Sequence, residues 1–309
     1  MIQVSEIHTI HYDVKGKYNG IPVLFLHGGP GVGCSDADLD FFDLNRYRII
    51  LIDQRGSGKS TPAGDMRENT TQNLIEDIEK IREVLKIDKW IVFGGSWGST
   101  LAILYGIEYP GRCKSFVLRG IFLANSWAIK HMLEEMGNFH PEAFDNFLLE
   151  EDIPKKDNKK NNIPKEDILE HYYDLLMNSD PEIHQPAAER FMYLDTLCAT
   201  VDRNEENIQG IYKNPKETLS IARSWFYYAY NGFFLYEEDY ILKFAYVLRN
   251  IPCYIVHGRY DLICPVIGAY ELKQKWGKNC SLYILENTGH SSREPETFRK
   301  LKSIMKRIN

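Results

Sequence analysis

The 309-residue chain predicts an α/β fold: a mostly parallel sheet flanked by helices, with a helical insertion. Three features point there. Short apolar runs end at Gly-rich loops, an amphipathic helical pattern separates two of them, and the strand pattern stops mid-chain and returns near the end. Short continuous apolar runs bounded by Gly read as strands buried on both faces, which is how parallel strands are used.

The elements follow in order. Residues 21–26 (IPVLFL) form the first run and end at His27-Gly28-Gly29-Pro30-Gly31. Residues 48–53 (RIILID) form the second and end at Gln54-Arg55-Gly56-Ser57-Gly58, and residues 90–94 (WIVFG) form the third. Leu74, Ile78, Ile81 and Leu85 recur at helical spacing with Glu76, Asp77, Glu79 and Lys80 between them, which predicts a helix over about 71–86. A further strand is expected at 115–119 (SFVLR). From 124 to 247 helical patterns dominate. Residues 155–162 in that stretch are charged and Asn-rich, with little to bury, and read as a mobile surface loop. Strands return at 253–257 (CYIVH) and 281–285 (SLYIL), with helices at about 266–276 and 295–308. The expected organisation is one core from 1–123 and 248–309, with 124–247 inserted above it as a cap.

Composition narrows the function. The chain is 44% hydrophobic and 26% charged, ordinary for a globular protein, with a net charge of −6. A general nucleic-acid binder needs a basic footprint that this balance lacks. No stretch approaches the roughly 18 apolar residues of a membrane span, and residues 1–12 lack the basic and apolar regions of a signal peptide. The six cysteines are irregularly spaced with no C-x-x-C pair, which suits reduced thiols in the cytoplasm. The Asn69-Thr70-Thr71 sequon then carries no meaning. No His/Cys grouping has metal-ligand spacing, so neither metal nor cofactor is expected.

The strongest motif is Gly94-Gly95-Ser96-Trp97-Gly98, which fits G-x-S-x-G between a strand and a helix expected from Ser99 to Tyr109. Such a turn pushes the Ser96 hydroxyl into the open, and the glycines keep Cβ atoms off the neighbouring strand. A serine hydroxyl is a weak nucleophile and needs an oriented base. In this strand–turn–helix setting the expected order is Ser, then an acid, then His. Asp261 follows the strand at 253–257 and His290 follows the strand at 281–285, so both belong to the sheet edge that carries Ser96. His290 is the expected base and Asp261 its orienting partner. Acyl transfer also builds a negative oxygen that backbone N–H groups must meet. The Trp97 amide and that of Gly29 or Gly28 are the expected donors. Gly58-Lys59-Ser60 superficially matches the end of a phosphate-binding loop, but its first glycine would fall at Asp53, so 54–60 reads as a structural turn.

Together these residues resemble the proline iminopeptidase (prolyl aminopeptidase) family of α/β-hydrolases. The matching blocks are HGGPG at 27–31, DQRGSGKS at 53–60, GGSWGSTLA at 94–102, LRGIFL at 118–123, GRYDLICP at 258–265 and GHSSREP at 289–295. The resemblance implies a cofactor-free enzyme that removes an N-terminal residue, typically proline, from short peptides beneath a helical cap. It also implies two cap glutamates that capture the substrate amine, in W-x-x-W-E and A-R-I-E-N patterns. Here Asp195 falls at the first and Trp225 at the second. One carboxylate is shortened and the other is replaced by an aromatic ring. An esterase or amidase that needs no free amine is therefore an alternative, and a catalytically silent binding protein is a second. The aromatics Trp225, Phe226, Tyr227, Tyr228, Tyr230, Phe233 and Phe234 are expected mostly as cap core, with some lining an apolar pocket above Ser96.

Overall fold

A computed structural model describes residues 1–148 and 167–308, so the run at 155–162 lies outside the described residues. Strands β1 (Ile2–Gln3) and β2 (Thr9–Ile10) form a small ribbon. The main sheet contains β3 (Tyr12–Gly16), β4 (Ile21–Leu26), β5 (Tyr47–Ile52), β6 (Trp90–Gly95), β7 (Cys113–Arg119), β8 (Cys253–Gly258) and β9 (Cys280–Leu285), in the order β3-β5-β4-β6-β7-β8-β9. All neighbours are parallel except β3 and β5.

The continuous apolar runs have a direct cause. Along β4, Leu24 and Leu26 enter the core on one face of the sheet, while Val23 and Phe25 enter the core on the other. Helices α1 (Thr71–Val84), α2 (Trp97–Glu108) and α10 (Val266–Trp276) supply Leu74, Leu101 and Leu272 to the first core. Helix α11 (Pro295–Arg307) supplies Leu301 and Ile304 to the second.

The expected strands and helices are present, with small displacements that have local causes. Helix α1 ends at Val84 rather than 86, because Lys86 adopts φ +53°. Helix α2 starts at Trp97, two residues earlier than expected, directly on Ser96. Strand β5 ends at Ile52 because the turn behind it wraps around Asp53. That carboxylate accepts the Cys34 and Lys59 amides at 2.7 and 2.9 Å, and the Ser60 hydroxyl donates to the Asp53 carbonyl at 2.6 Å. A Cβ at Gly58 would lie 2.5 Å from Asp53 Cγ. Residues 54–60 thus close on an internal carboxylate. Strand β3 was not expected. It is a half-exposed antiparallel edge carrying Asp13 and Lys15, so it lacks the apolar run of its neighbours.

Between β7 and β8 the described residues hold helices and no strand. They are α3 (Ser126–Lys130), α4 (Pro141–Phe147), α5 (Ile168–Met177), α6 (Pro181–Cys198), α7 (Glu205–Lys213), α8 (Pro215–Tyr230) and α9 (Tyr240–Phe244). Their centre is aromatic, with ring centroids 4.3 Å apart for Phe147–Tyr172, 5.1 Å for Tyr172–Phe226 and 4.9 Å for Phe191–Phe226. Ring packing and hydrogen bonds seat this layer on the sheet. The Trp97 ring packs on Tyr228 and Phe233 at 4.9 and 5.5 Å. The Thr71 hydroxyl donates to the Phe233 carbonyl at 2.7 Å. The Ala199 carbonyl accepts the His290 and Ser291 amides at 2.9 and 2.8 Å. No helix among the described residues is long and apolar enough to cross a membrane.

One buried ion pair joins α1 to the turn after β5. Arg55 donates from Nε and Nη2 to the two oxygens of Asp77 at 2.7 and 2.8 Å. Burial still pushes the Asp77 carboxyl above its ordinary value, against the pull of Arg55. Arg55→Met should therefore destabilise the fold by about 3–5 kcal/mol, since it strands a buried carboxylate, and Arg55→Met with Asp77→Leu should recover much of the loss. Chemical denaturation of the three proteins checks this; a single substitution no worse than the double would contradict it.

Candidate active site

Ser96 sits at the apex of the turn from β6 to α2, with φ 57° and ψ −129°. Close packing explains the surrounding glycines. A Cβ at Gly94 would lie 2.2 Å from the Gly98 carbonyl oxygen, and one at Gly98 would lie 2.2 Å from that of Leu26. The Ser96 amide donates to the Arg119 carbonyl at 3.1 Å, and the Ser96 carbonyl accepts the Ser99 amide at 2.8 Å. The positive φ is thus held from both sides, leaving the side chain at the cavity floor.

Asp261 lies three residues beyond β8, and His290 five beyond β9. His290 Nδ1 donates to both Asp261 oxygens, at 3.0 and 2.9 Å. Asp261 Oδ1 also accepts the Ile263 and Cys264 amides, at 3.2 and 2.7 Å. Burial pushes the Asp261 carboxyl up, but the His290 charge and hydrogen bond and the Cys264 amide together hold it below its ordinary value. His257 stands 3.4 Å from the same carboxylate without being its ion-pair partner. Its Nδ1 accepts the Ile121 amide at 3.2 Å, its Nε2 donates to the Cys264 carbonyl at 2.7 Å, and burial lowers its pKa. It is a neutral spacer. The Cys264 sulfur and the His290 and Asp261 ligand atoms lie within 4.8 Å of one another. No sequence spacing signals that cluster, because the fold alone assembles it. Ser96 and His290 line the same cavity without a hydrogen bond between them; contacts of this kind commonly tighten only with substrate bound.

The loop after β4 lies against Ser96. A Cβ at Gly28 would fit tightly, 3.2 Å from the Gly95 carbonyl oxygen and 3.4 Å from Ser96 Cβ, whereas Gly29, with φ +107° and the Gly31 amide nitrogen 2.6 Å from its Cβ position, does not accommodate a side chain. The amides of Gly28, Gly29 and Trp97 have no acceptor among the described residues. Gln54 fixes their relative placement. Its amide N–H donates to His27 Nε2 at 3.1 Å, its side-chain N–H donates to the His27 carbonyl at 3.0 Å, and its side-chain oxygen accepts the Trp97 indole N–H at 2.7 Å. Burial lowers the His27 pKa, so the ring is neutral and Nδ1 donates to the Gly28 carbonyl. The residues around 54 are structural, as expected, but their role in aligning both amide-bearing segments was not legible in the sequence.

Above lies a cavity of about 450 Å³. Asp195 and Trp225 both line it, as do Phe122, Met132, Phe191 and Ile221. Of the aromatics anticipated here, Trp225 faces the cavity, Phe226, Tyr228 and Phe233 are core, and Tyr230 is exposed. Asp195 is reached from α6, whose end is tied to the His290 loop one turn later through Ala199. Among the described residues no donor or cation bonds to it. It is partly open to the cavity. Burial pushes its carboxyl up to about 6; His290 draws it down and Asp261 raises it again.

This fold and site define an α/β hydrolase. Residues 21–160 match the family described as alpha/beta hydrolase fold. An α/β-hydrolase structure from a Medee basin deep-sea metagenome library superposes with a TM-score of 0.65 at 15% identity, covering 99% of this chain and 95% of that one. Within the class, a proline iminopeptidase of Xylella fastidiosa is 38% identical over 304 residues, covering 97% of this chain and 93% of the relative. A proline iminopeptidase of Arabidopsis thaliana is 39% identical over 295 residues, covering 95% and 75%. The chain belongs to the proline iminopeptidase family.

The isolated carboxylate has a thermodynamic consequence. A carboxyl whose folded pKa of about 6 exceeds its unfolded value of about 3.9 binds its proton more tightly when folded. Its ionisation therefore destabilises the fold, fully above pH 6 and not at all below the unfolded pKa. Asp195→Asn should raise stability at pH 8 by on the order of 1–3 kcal/mol, and the gain should fade as pH falls towards 4. Denaturant midpoints across that range check it; a gain independent of pH would contradict the assignment.

Proposed function

We propose that this protein is a serine aminopeptidase releasing an N-terminal residue, proline foremost, from short peptides through an acyl-enzyme. The observation that carries the reading is the convergence of Ser96 and His290 on one cavity, with Asp261 bonded behind His290, beside three uncommitted amides. Ser96 Oγ attacks the scissile carbonyl carbon while its proton passes to His290 Nε2, the nitrogen left free by the bond to Asp261. The new oxyanion is met by the Trp97 amide and that of Gly29 or Gly28. Collapse breaks the C–N bond as His290 returns the proton to the leaving nitrogen, and water repeats the cycle on the ester. Asp195 takes the substrate ammonium, which needs a carboxylate partner in a partly desolvated cavity. Residues 124–247 act as the cap that supplies Asp195. The relatives' printed activity supports this reading. The six unpaired cysteines support a cytoplasmic location.

One observation favours a second reading. The Trp225 ring, with Phe122, Phe191 and Met132, gives the cavity an apolar wall that suits a hydrophobic acyl group without a charged amine.

Ser96→Ala should lower kcat by about 10⁴–10⁶ with the fold intact, His290→Ala by a similar factor, and the pair hardly further, because the residues act as a unit. Asp261→Asn should be strongly impaired through the wrong imidazole tautomer. Retained activity in pure Ser96→Ala protein would end the triad assignment. For the amine, kcat/KM should favour a prolyl amide over its N-acetyl version by at least about tenfold, and Asp195→Asn should remove most of that preference. Equal rates unaffected by Asp195→Asn would select the esterase reading.

A further inference from the structure

Besides the acidic side chains that line it, the cavity holds a cation without a charged partner, on β7 where Asp195 stands on α6. Arg119 ends β7, and among the described residues lining the cavity it is the one Lys or Arg. Its guanidinium lies across the floor. Nε is 2.2 Å from where a Cβ on Gly95 would stand, and Nη2 is 4.0 Å from the same point on Gly28. The cation therefore rests between the residue preceding Ser96 and the loop whose amides face it. Nη1 donates to the His290 carbonyl at 3.1 Å. The remaining N–H groups have no acceptor, and no carboxylate stands within ion-pair distance. Burial lowers the Arg119 pKa, yet an arginine keeps its charge under such conditions. A desolvated guanidinium with an unused fork is matched to a carboxylate, which it holds through two parallel N–H···O bonds.

We propose that Arg119 binds the free carboxylate of the leaving amino acid, so that the preferred substrates are dipeptides. This rests on the aminopeptidase reading above. The placement selects the length. In a dipeptide the carboxylate is one carbon removed from the scissile nitrogen, so it falls beside the reacting bond, where Arg119 lies. In a longer peptide a neutral amide occupies that place and leaves the guanidinium unpaired. Asp38 and Glu217 also line the cavity, so its one guanidinium faces several carboxylates; a dipeptide zwitterion would set its ammonium against Asp195 on the cap and its carboxylate against Arg119 on the sheet. Arg119 here determines specificity, in addition to its bond to the His290 carbonyl.

The test compares kcat/KM for prolyl-alanine and prolyl-alaninamide, which differ only in that carboxylate. The wild-type protein should favour the free acid by about tenfold or more. Arg119→Met should bring the ratio close to one, mainly through the free acid. Arg119→Lys should keep part of it, because lysine offers a point charge without the fork. Any loosening of His290 slows both substrates and cancels in the ratio. A wild-type ratio near one, or a ratio unmoved in Arg119→Met, overturns the proposal; should that variant not fold, the wild-type and Arg119→Lys ratios decide it. If neither substrate is cut while N-acylated esters are, the aminopeptidase reading fails and this proposal with it.

Discussion

The positive φ of Ser96 is the constraint on which the rest of the site depends. A non-glycine residue in such a conformation costs on the order of 1–3 kcal/mol and persists only where its surroundings over-determine it. Here they do. The Ser96 amide and carbonyl are both bonded, and α2 approaches β4 so closely that positions 94 and 98 have no room for a side chain. The turn presents the Ser96 hydroxyl, leaves the Trp97 amide without an intrahelical acceptor, and points the Trp97 ring to where Gln54 and Tyr228 hold it. One strained residue thus links the sheet, the glycine loop and the helices above.

Electrostatically the site mixes satisfied and unsatisfied charge. Asp261 is fully bonded, by His290 and two amides, and its ionised form is favoured despite burial. His27 and His257 are neutral and serve as hydrogen-bond spacers. Asp195 and Arg119 differ. Each faces the same cavity without a bonded counter-charge among the described residues. Buried charges in that state weaken a fold, so their presence on a cavity wall points to a ligand that supplies the missing partners.

The helical layer touches the loops around Ser96 and His290 directly. The end of α6 accepts the two amides of the His290 loop, so Asp195, one turn earlier, is placed relative to His290 by those bonds. Helix α8 reaches the glycine loop, where a Cβ at Gly31 would lie 2.7 Å from the Ser220 carbonyl oxygen. Cavity-facing residues of the helices are therefore positioned by the same loops that carry His290 and the glycines before Val32.

By itself the sequence determined whatever depends on local backbone demands and two-sided burial. The runs at 21–26, 48–53 and 90–94 are apolar because both faces of those strands are covered, and the G-x-S-x-G pentapeptide is readable because the turn excludes side chains at 94 and 98. The placement of Ser96, Asp261 and His290 after the strands at 90–94, 253–257 and 281–285 followed from the same pattern, and Asp195 and Trp225 were reached through resemblance. Strand β3 was not legible, since a half-exposed edge carries Asp13 and Lys15 in place of an apolar run. Gln54, the Asp261–Cys264–His290 cluster and the isolation of Arg119 were decided only by tertiary structure. A hydrogen-bond partner or its absence depends on which distant segments meet, and no local periodicity records that.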